Sequence, residues 1–259
     1  MKKVLSLVLV IAMVLSLAVL AGCGGKTEET KAEGGKIVMA TNAAFPPYEY
    51  KENGQIIGID VEIAQAIAKD MGMELEIEDI EFDSIITGVQ TGKYDFAMAG
   101  LTITDERKQA VDFSETYATA KQVIIVKEDS TLTNFDDLIT EGSTAGVQIG
   151  TTGDIYASDT IENGGLGSDK VSEFKTGNDA VLALVAGRID CVIIDNEPAK
   201  AYVAANEGLK ILETEYVEES YAAAFAKSSE LKDKFNASLK KLTDDGTIKS
   251  IIDKYIKSE

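Results

Sequence analysis

From Lys36 onward the chain alternates short apolar runs with amphipathic ones, and this strand-helix-strand-helix rhythm confines it to an open α/β sheet. KIVMAT reads as a strand, and NAAFPPYEY follows as a loop whose two prolines stop it from continuing the sheet. Residues 59–71 carry Ile59, Ile63, Ala66 and Ile67 at helical spacing, and MELEIEDIEF alternates like a strand. After Phe82, DSIITGVQTGKYDFAMAG gives a helix and a buried strand that delivers Gly100. Ligands of such sheets sit beyond the carboxyl ends of the strands, where Asn42, Phe82 and residues 99–102 fall. A β-rich run centred on KQVIIVK comes next, and the pattern then restarts. A short helix over NFDDLITE, a strand AGVQ, a helix after a glycine-flanked turn, a helix over TGNDAVLALVAGRID and a buried strand CVIID follow in turn. A second β-rich run, ESYAAAFAK, returns the chain before two C-terminal helices broken at DDGTI. The two crossings divide the chain into a discontinuous lobe, 36–121 with 221–259, and an inserted lobe, 122–220. The architecture expected is α/β, with two lobes joined by two hinge strands.

AGLTITDERKQAVDFS, residues 99–114, reads as a strand end running through a turn into a helix start. Thr104 suits an N-cap, and Asp105 and Glu106 suit the positive end of the helix dipole. Arg107 does not. A cation among unpaired N–H groups needs either a carboxylate neighbour, such as Glu106 or Asp112, or a bound anion. With the Thr102 hydroxyl beside it, the guanidinium is a candidate receptor for a ligand carboxylate. In the second half Gly150, Thr151, Thr152 and Gly153 form a turn that is either an ordinary cap or the mirror of that site, and Gln148 lies on the same strand end. Asp195 ends four apolar residues and would be costly to bury alone; it either caps the next helix or meets a cation. Phe45, Tyr48 and Tyr50 cluster in a chain with 7% aromatics, as core filling or as an apolar wall against a ligand.

The formal net charge is −19, with the acids spread along the chain, which argues against nucleic acid. It also requires any ligand anion to be held by a local cation. The chain contains no histidine, which removes Ser-His-Asp and Cys-His nucleophile systems and the usual zinc sites, and no cofactor is expected. Of the two cysteines, Cys191 in IDCVIID reads as a small buried hydrophobe. The other, Cys23, closes MKKVLSLVLVIAMVLSLAVLAGC, an export signal over 1–22. A permanent membrane span is the competing interpretation of that run. Residues 23–35, rich in glycine and charge, read as a flexible tether.

The run Gly100, Thr102, Thr104, Arg107 resembles the G-x-T-x-T-x-x-R signature of the polar amino-acid substrate-binding proteins of ABC importers, and the resemblance extends from KIVMATNAAFPPYEY to DDGTIKSIIDKYI. It implies a type II periplasmic-binding-protein-like fold closing on an amino acid without chemistry. In that family Arg107, Thr102 and the N–H groups near Thr151 and Thr152 would hold the α-carboxylate. Asp195, the Gly100 carbonyl and Thr102 would hold the α-ammonium, with Ala99 beside them. Phe45 and Phe82 would sandwich the side chain, with Asn42 and Gln148 tuning selectivity. Because Asn42 and Gln148 are neutral, the ligand expected is a neutral polar amino acid such as glutamine, with arginine, cystine and histidine open. Leu20-Ala21-Gly22-Cys23 resembles a lipobox, which implies a lipid anchor through Cys23 on the extracytoplasmic face of the cell membrane, and the protein is expected to be a monomer. Its partners would be a cognate permease and ATPase. Cyclohexadienyl (prephenate or arogenate) dehydratases share the architecture and form the enzymatic alternative. A signalling ectodomain is disfavoured, since no further span or cytoplasmic module follows in the sequence.

Overall fold

The computed structural model describes residues 35–212 and 218–257. The leader expected over 1–22, Cys23 and the tether as far as 34 lie outside the described residues. The first lobe opens with β1 (Lys36–Thr41). NAAFPPYEY is not the open loop expected of it. It contributes to a small antiparallel sheet of β2 (Ala44–Phe45), β3 (Glu49–Glu52) and β4 (Gln55–Ile57). The prolines sit in the β2–β3 turn, where their missing N–H groups cost no ladder bond. α1 (Ile59–Asp70) buries Ile59, Ile63 and Ile67 as its spacing predicts, and with them, unexpectedly, Asp60.

β5 (Glu74–Asp79) then lies parallel to β1 over six paired positions. α2 (Ile85–Gln90) leads to β6 (Phe96–Ala97), which is parallel to β1 on its other edge. The stretch after β6 is more broken than a strand running into a helix. Thr102 makes an isolated bridge to Tyr221, α3 (Arg107–Ala110) is a single turn, and β7 (Val111–Phe113) rejoins the sheet at once.

The long strand β8 (Ala118–Lys127) enters the second lobe. There α4 (Phe135–Glu141), β9 (Ala145–Gln148), α5 (Thr152–Ser158), β10 (Val171–Phe174), α6 (Gly177–Val185), β11 (Cys191–Asp195), α7 (Asn196–Ala205) and β12 (Leu209–Leu212) follow. Cys191 is buried and unpaired, and desolvation pushes its thiol up to about 12, so it behaves as an inert small hydrophobe. The return crossing divides into two strands. β13 (Glu218–Tyr221) pairs with the start of β8, whereas β14 (Ala224–Ala226) inserts between β6 and β7 of the first sheet. The sheet orders are therefore β5-β1-β6-β14-β7 and β10-β9-β11-β8-β12, with β13 attached to β8.

α8 (Glu230–Asp244) and α9 (Thr247–Tyr255) close the first lobe. The anchor is Phe235, buried against Phe225 at 5.2 Å and Phe96 at 5.6 Å between ring centroids. Such a ring packed on two others stabilises mainly through area removed from water and edge-to-face contact. Phe235→Ala is expected to lower stability by about 3–5 kcal/mol, read from urea unfolding monitored by circular dichroism. A loss under about 1 kcal/mol would mean that this helix does not hold the lobe together.

Candidate ligand-binding site

The parallel strands of the two lobes present their carboxyl ends to a common space. Asn42 follows β1, Phe82 follows β5, and Ala99, Gly100 and Thr102 follow β6. Across from them Gln148 ends β9, Thr151 and Thr152 begin α5, and Asp195 ends β11. Phe45 from β2 and Arg107 from α3 complete the set. All eleven residues picked out in the sequence line one cavity between the strand ends. A twelfth lining residue, Glu49, was not anticipated.

Arg107 is 8% exposed. Its backbone N–H donates to the Thr104 hydroxyl at 3.1 Å, so Thr104 caps the turn as its position in the sequence predicts. Of the two acids expected beside it, Asp112 pairs with Lys227 instead, and Glu106 makes no ion pair with the guanidinium among the described residues. The guanidinium instead donates to the Thr102 carbonyl at 2.8 Å and the Gly150 carbonyl at 3.0 Å, and it lies over the Phe82 ring at 5.5 Å. Burial lowers its pKa, opposed by Glu219 and Asp195 at longer range. Two of its five N–H donors are used, and no carboxylate is within ion-pair distance among the described residues. A buried cation in that condition is prepared for an anion.

The carboxyl groups show the reverse excess. Asp195 is 5% exposed and occupies the N-cap position of α7, yet its side chain caps nothing; Oδ1 accepts from the Tyr221 hydroxyl at 2.5 Å. Burial and then the neighbouring Glu219 push Asp195 up to about 8. Glu219 Oε2 accepts from the Thr102 hydroxyl at 2.9 Å and from Gln122 Nε2 at 3.2 Å. Below the cavity Asp60 accepts from the Gly100 N–H at 2.9 Å and the Tyr117 hydroxyl at 2.7 Å, and burial pushes it up to about 6. Glu49 beside it is held well above the usual carboxylate range by burial and by Asp60. Four enclosed carboxyl groups thus stand in or next to the site that holds one enclosed guanidinium. Two ionised carboxylates cannot hydrogen-bond each other, which leaves Glu49 without partners unless a proton joins it to Asp60.

The Thr102 hydroxyl spends its one proton on Glu219, so toward the cavity it offers lone pairs, which suit an ammonium better than a carboxylate. Gly100 holds φ +54°, and a Cβ there would stand 2.8 Å from the Phe45 ring, so glycine is required for that wall to close. Tyr48 is core: it is 1% exposed and packs on Phe45 and Tyr221. Direct bonds join the lobes across the cavity, from Gln148 Nε2 to Asn42 Oδ1 at 2.9 Å and from the Tyr202 hydroxyl to the Ala44 carbonyl at 2.5 Å. Lys175 approaches Asp83 and Glu81 at 3.5 and 3.6 Å at the rim.

Glu49, Asp60, Gln122, Glu219 and Tyr221 are the site residues that sequence reasoning missed. Asp60, between Ile59 and Val61 on the apolar side of α1, was the one detectable anomaly.

Residues 37–258 match the model of the bacterial extracellular solute-binding proteins, family 3. The arginine-binding extracellular protein ArtP of Bacillus subtilis is 35% identical over 256 residues, covering 98% of each chain. Among solved structures, the arginine-, lysine-, histidine-binding protein ArtJ of Geobacillus stearothermophilus is similar with a TM-score of 0.81 and 37% identity, over 86% of this chain and 96% of its own. An ancestral arginine-binding protein bound to glutamine is similar with a TM-score of 0.79 and 37% identity, over 86% of this chain and 98% of its own.

Asp195 and Asp60 titrate above the ordinary value of 3.8, so between about pH 4 and 8 the folded chain binds more protons than the unfolded one. Their contribution to stability is complete below pH 3.8 and is lost as pH rises through about 6 and then about 8. The urea midpoint of the ligand-free protein is expected to fall between pH 5.5 and 8.5, with Asp195→Asn flattening the upper half. A midpoint rising over that range would contradict the assignment.

Proposed function

This chain belongs to the bacterial extracellular solute-binding proteins, family 3, and from that premise we propose that its ligand is a cationic amino acid, arginine foremost. It is the amino-acid-binding component of an ABC importer. The observation that carries the reading is the separation of charge in one cavity: a buried guanidinium without an acid faces buried acids without a cation. A zwitterion supplies both missing partners. Its carboxylate meets the free N–H groups of Arg107, with Thr151 and Thr152 on the facing lobe. Its ammonium meets Asp195, the Gly100 carbonyl and the Thr102 lone pairs. The side chain lies between Phe45 and Phe82 and points toward Asn42, Gln148 and Glu49.

The sequence, read alone, offered no acid for a basic side chain and leaned toward glutamine. Glu49 at the cavity wall alters that balance. After the zwitterion's two ends are matched, carboxyl groups remain in excess, and a guanidinium between aromatic rings reduces that excess while gaining cation–π attraction. The similar proteins named for arginine agree with this. Glutamine is retained as the second reading, because the Asn42 and Gln148 amides can meet a side-chain amide and the ancestral protein was seen with glutamine bound.

Secretion through the leader at 1–22, lipidation at Cys23, the tether to 35 and docking of a monomer on a cognate permease and ATPase belong to the same proposal. So does the division into lobes at 36–121 with 221–259 and 122–220. No helix among the described residues is long and apolar enough to cross a membrane, so anchoring would rest on the N-terminus. The dehydratase alternative gains no support: the similar proteins reported above are named for what they bind.

A thermal-shift screen of the twenty amino acids and cystine is expected to show the largest stabilisation with arginine; a response to glutamine alone would transfer the assignment to the second reading. Arg107→Ala and Asp195→Ala each leave an opposite charge buried and unpaired in the complex, a loss of about 3–5 kcal/mol. Calorimetry is therefore expected to show affinity weakened by roughly two to four orders of magnitude, and near-native binding by either variant would refute the site. In the native host, Cys23→Ala is expected to move the protein from the membrane fraction to the soluble one.

A further inference from the structure

Residues 42–45 form a segment of the first lobe that lies against the second. On its own lobe the segment is fixed twice. Asn42 Nδ2 donates to the Ile80 carbonyl at 2.8 Å, and the Ala43 N–H donates to Asp79 Oδ1 at 2.8 Å. Two donors of the second lobe reach the same segment, Gln148 Nε2 on Asn42 Oδ1 at 2.9 Å and the Tyr202 hydroxyl on the Ala44 carbonyl at 2.5 Å. Asn42 and Gln148 line the cavity, whereas Tyr202 does not. Tyr202 is 6% exposed on α7, and its ring is seated on the second lobe. A Cβ at Gly177 of α6 would stand 3.2 Å from that ring and 2.7 Å from Ile194, so the seat is closely packed. Asn206 Nδ2 also donates to the Tyr202 backbone carbonyl at 2.8 Å, which fixes the end of α7 that carries the ring. The phenol hydroxyl is the part of this residue that reaches across to the first lobe.

We propose that Tyr202 is a positioning residue that latches the closed cleft: its hydroxyl bonds the Ala44 carbonyl only when the lobes meet, and the bond slows escape of the ligand. This inference rests on the amino-acid-binding reading and on the division into two lobes. When the lobes part, the phenol and the carbonyl both meet water; when they close, the two groups meet each other. A neutral hydrogen bond formed in exchange for water is modest, but all of its contribution falls on the closed side of the equilibrium. Ala44 and Phe45 are the whole of β2, so a bond that fixes the Ala44 carbonyl also fixes where the Phe45 ring stands in the cavity wall. The other links between the lobes do not separate closure from ligand contact in this way. Lys175 meets Asp83 and Glu81 at the exposed rim, where water and salt screen the pairs. The bonds from Gln148 to Asn42 and from Arg107 to Gly150 start from cavity residues, on which the ligand itself acts. Tyr202 strengthens closure from outside the cavity, so it governs how long a ligand is retained and not which ligand is chosen.

Stopped-flow and calorimetric measurements of L-arginine binding, with L-glutamine in parallel, test this on wild type and Tyr202→Phe. Phenylalanine keeps the ring in its seat and removes only the crossing hydroxyl. The expected result is a dissociation rate raised roughly three- to tenfold, the equivalent of one neutral hydrogen bond, with the association rate unchanged and Kd raised in proportion. The factor is expected to be the same for every amino acid that binds, because the hydroxyl touches none of them. The urea midpoint of the ligand-free protein is expected to stay at the wild-type value, since the hydroxyl is solvated before closure. A tyrosine that served only the core would lower that midpoint, and a ligand-free variant that is destabilised or fails to fold would overturn the inference. Hydroxyl-radical footprinting of wild type checks the same point without a variant: oxidation at Tyr202 is expected to fall when L-arginine is added, and equal oxidation in both states would overturn the inference. An unchanged dissociation rate in Tyr202→Phe would remove the latch and leave the amino-acid-binding reading standing. A wild-type protein that binds no amino acid would remove both.

Discussion

A guanidinium enclosed between two lobes with no carboxylate of its own is the constraint on which the rest of the site depends. Desolvating Arg107 is tolerable only because two backbone carbonyls and an aromatic ring receive it, and one of those carbonyls, at Gly150, belongs to the opposite lobe. The lobes are therefore linked through the same group that awaits the ligand. On the proposed assignment an anion arriving at Arg107 would complete its coordination and strengthen the link, making capture and closure one event, as in hinge closure about a ligand.

The acids complement this arrangement. A chain with strong acidic excess has no difficulty supplying carboxylates; the difficulty is keeping four of them enclosed. The solution is a scaffold of hydroxyls and amides: Tyr221 on Asp195, Tyr117 and the Gly100 N–H on Asp60, and Thr102 and Gln122 on Glu219. Each bond lowers the cost of a charge, and none cancels it. What remains is an acidic side of the cavity and a positive point on the other, the pattern on which the proposed recognition of a zwitterion with a basic side chain rests.

The hinge region has a second role. β8 and β13 cross between the sheets, and their paired faces carry Gln122 and Glu219, so the crossing strands also hold the polar groups that tie Thr102 of one lobe to Thr152 of the other.

The sequence by itself determined the α/β rhythm, the two crossings and the residues at the carboxyl ends of the strands, because strand and helix periodicity act over a few neighbours and topology then forces those ends together. Arg107 was legible as a cation out of place in a helical first turn, and Asp195 as an acid closing an apolar strand. Only the tertiary structure decided that Glu49, Asp60 and Glu219 are enclosed with them, and that NAAFPPYEY contributes strands. The contacts that enclose those acids join positions far apart in the chain, 117 residues for Thr102 and Glu219 and 40 for Gly100 and Asp60. A local pattern assigns an acid to solvent by default, and only the three-dimensional packing shows when no solvent is left to reach it.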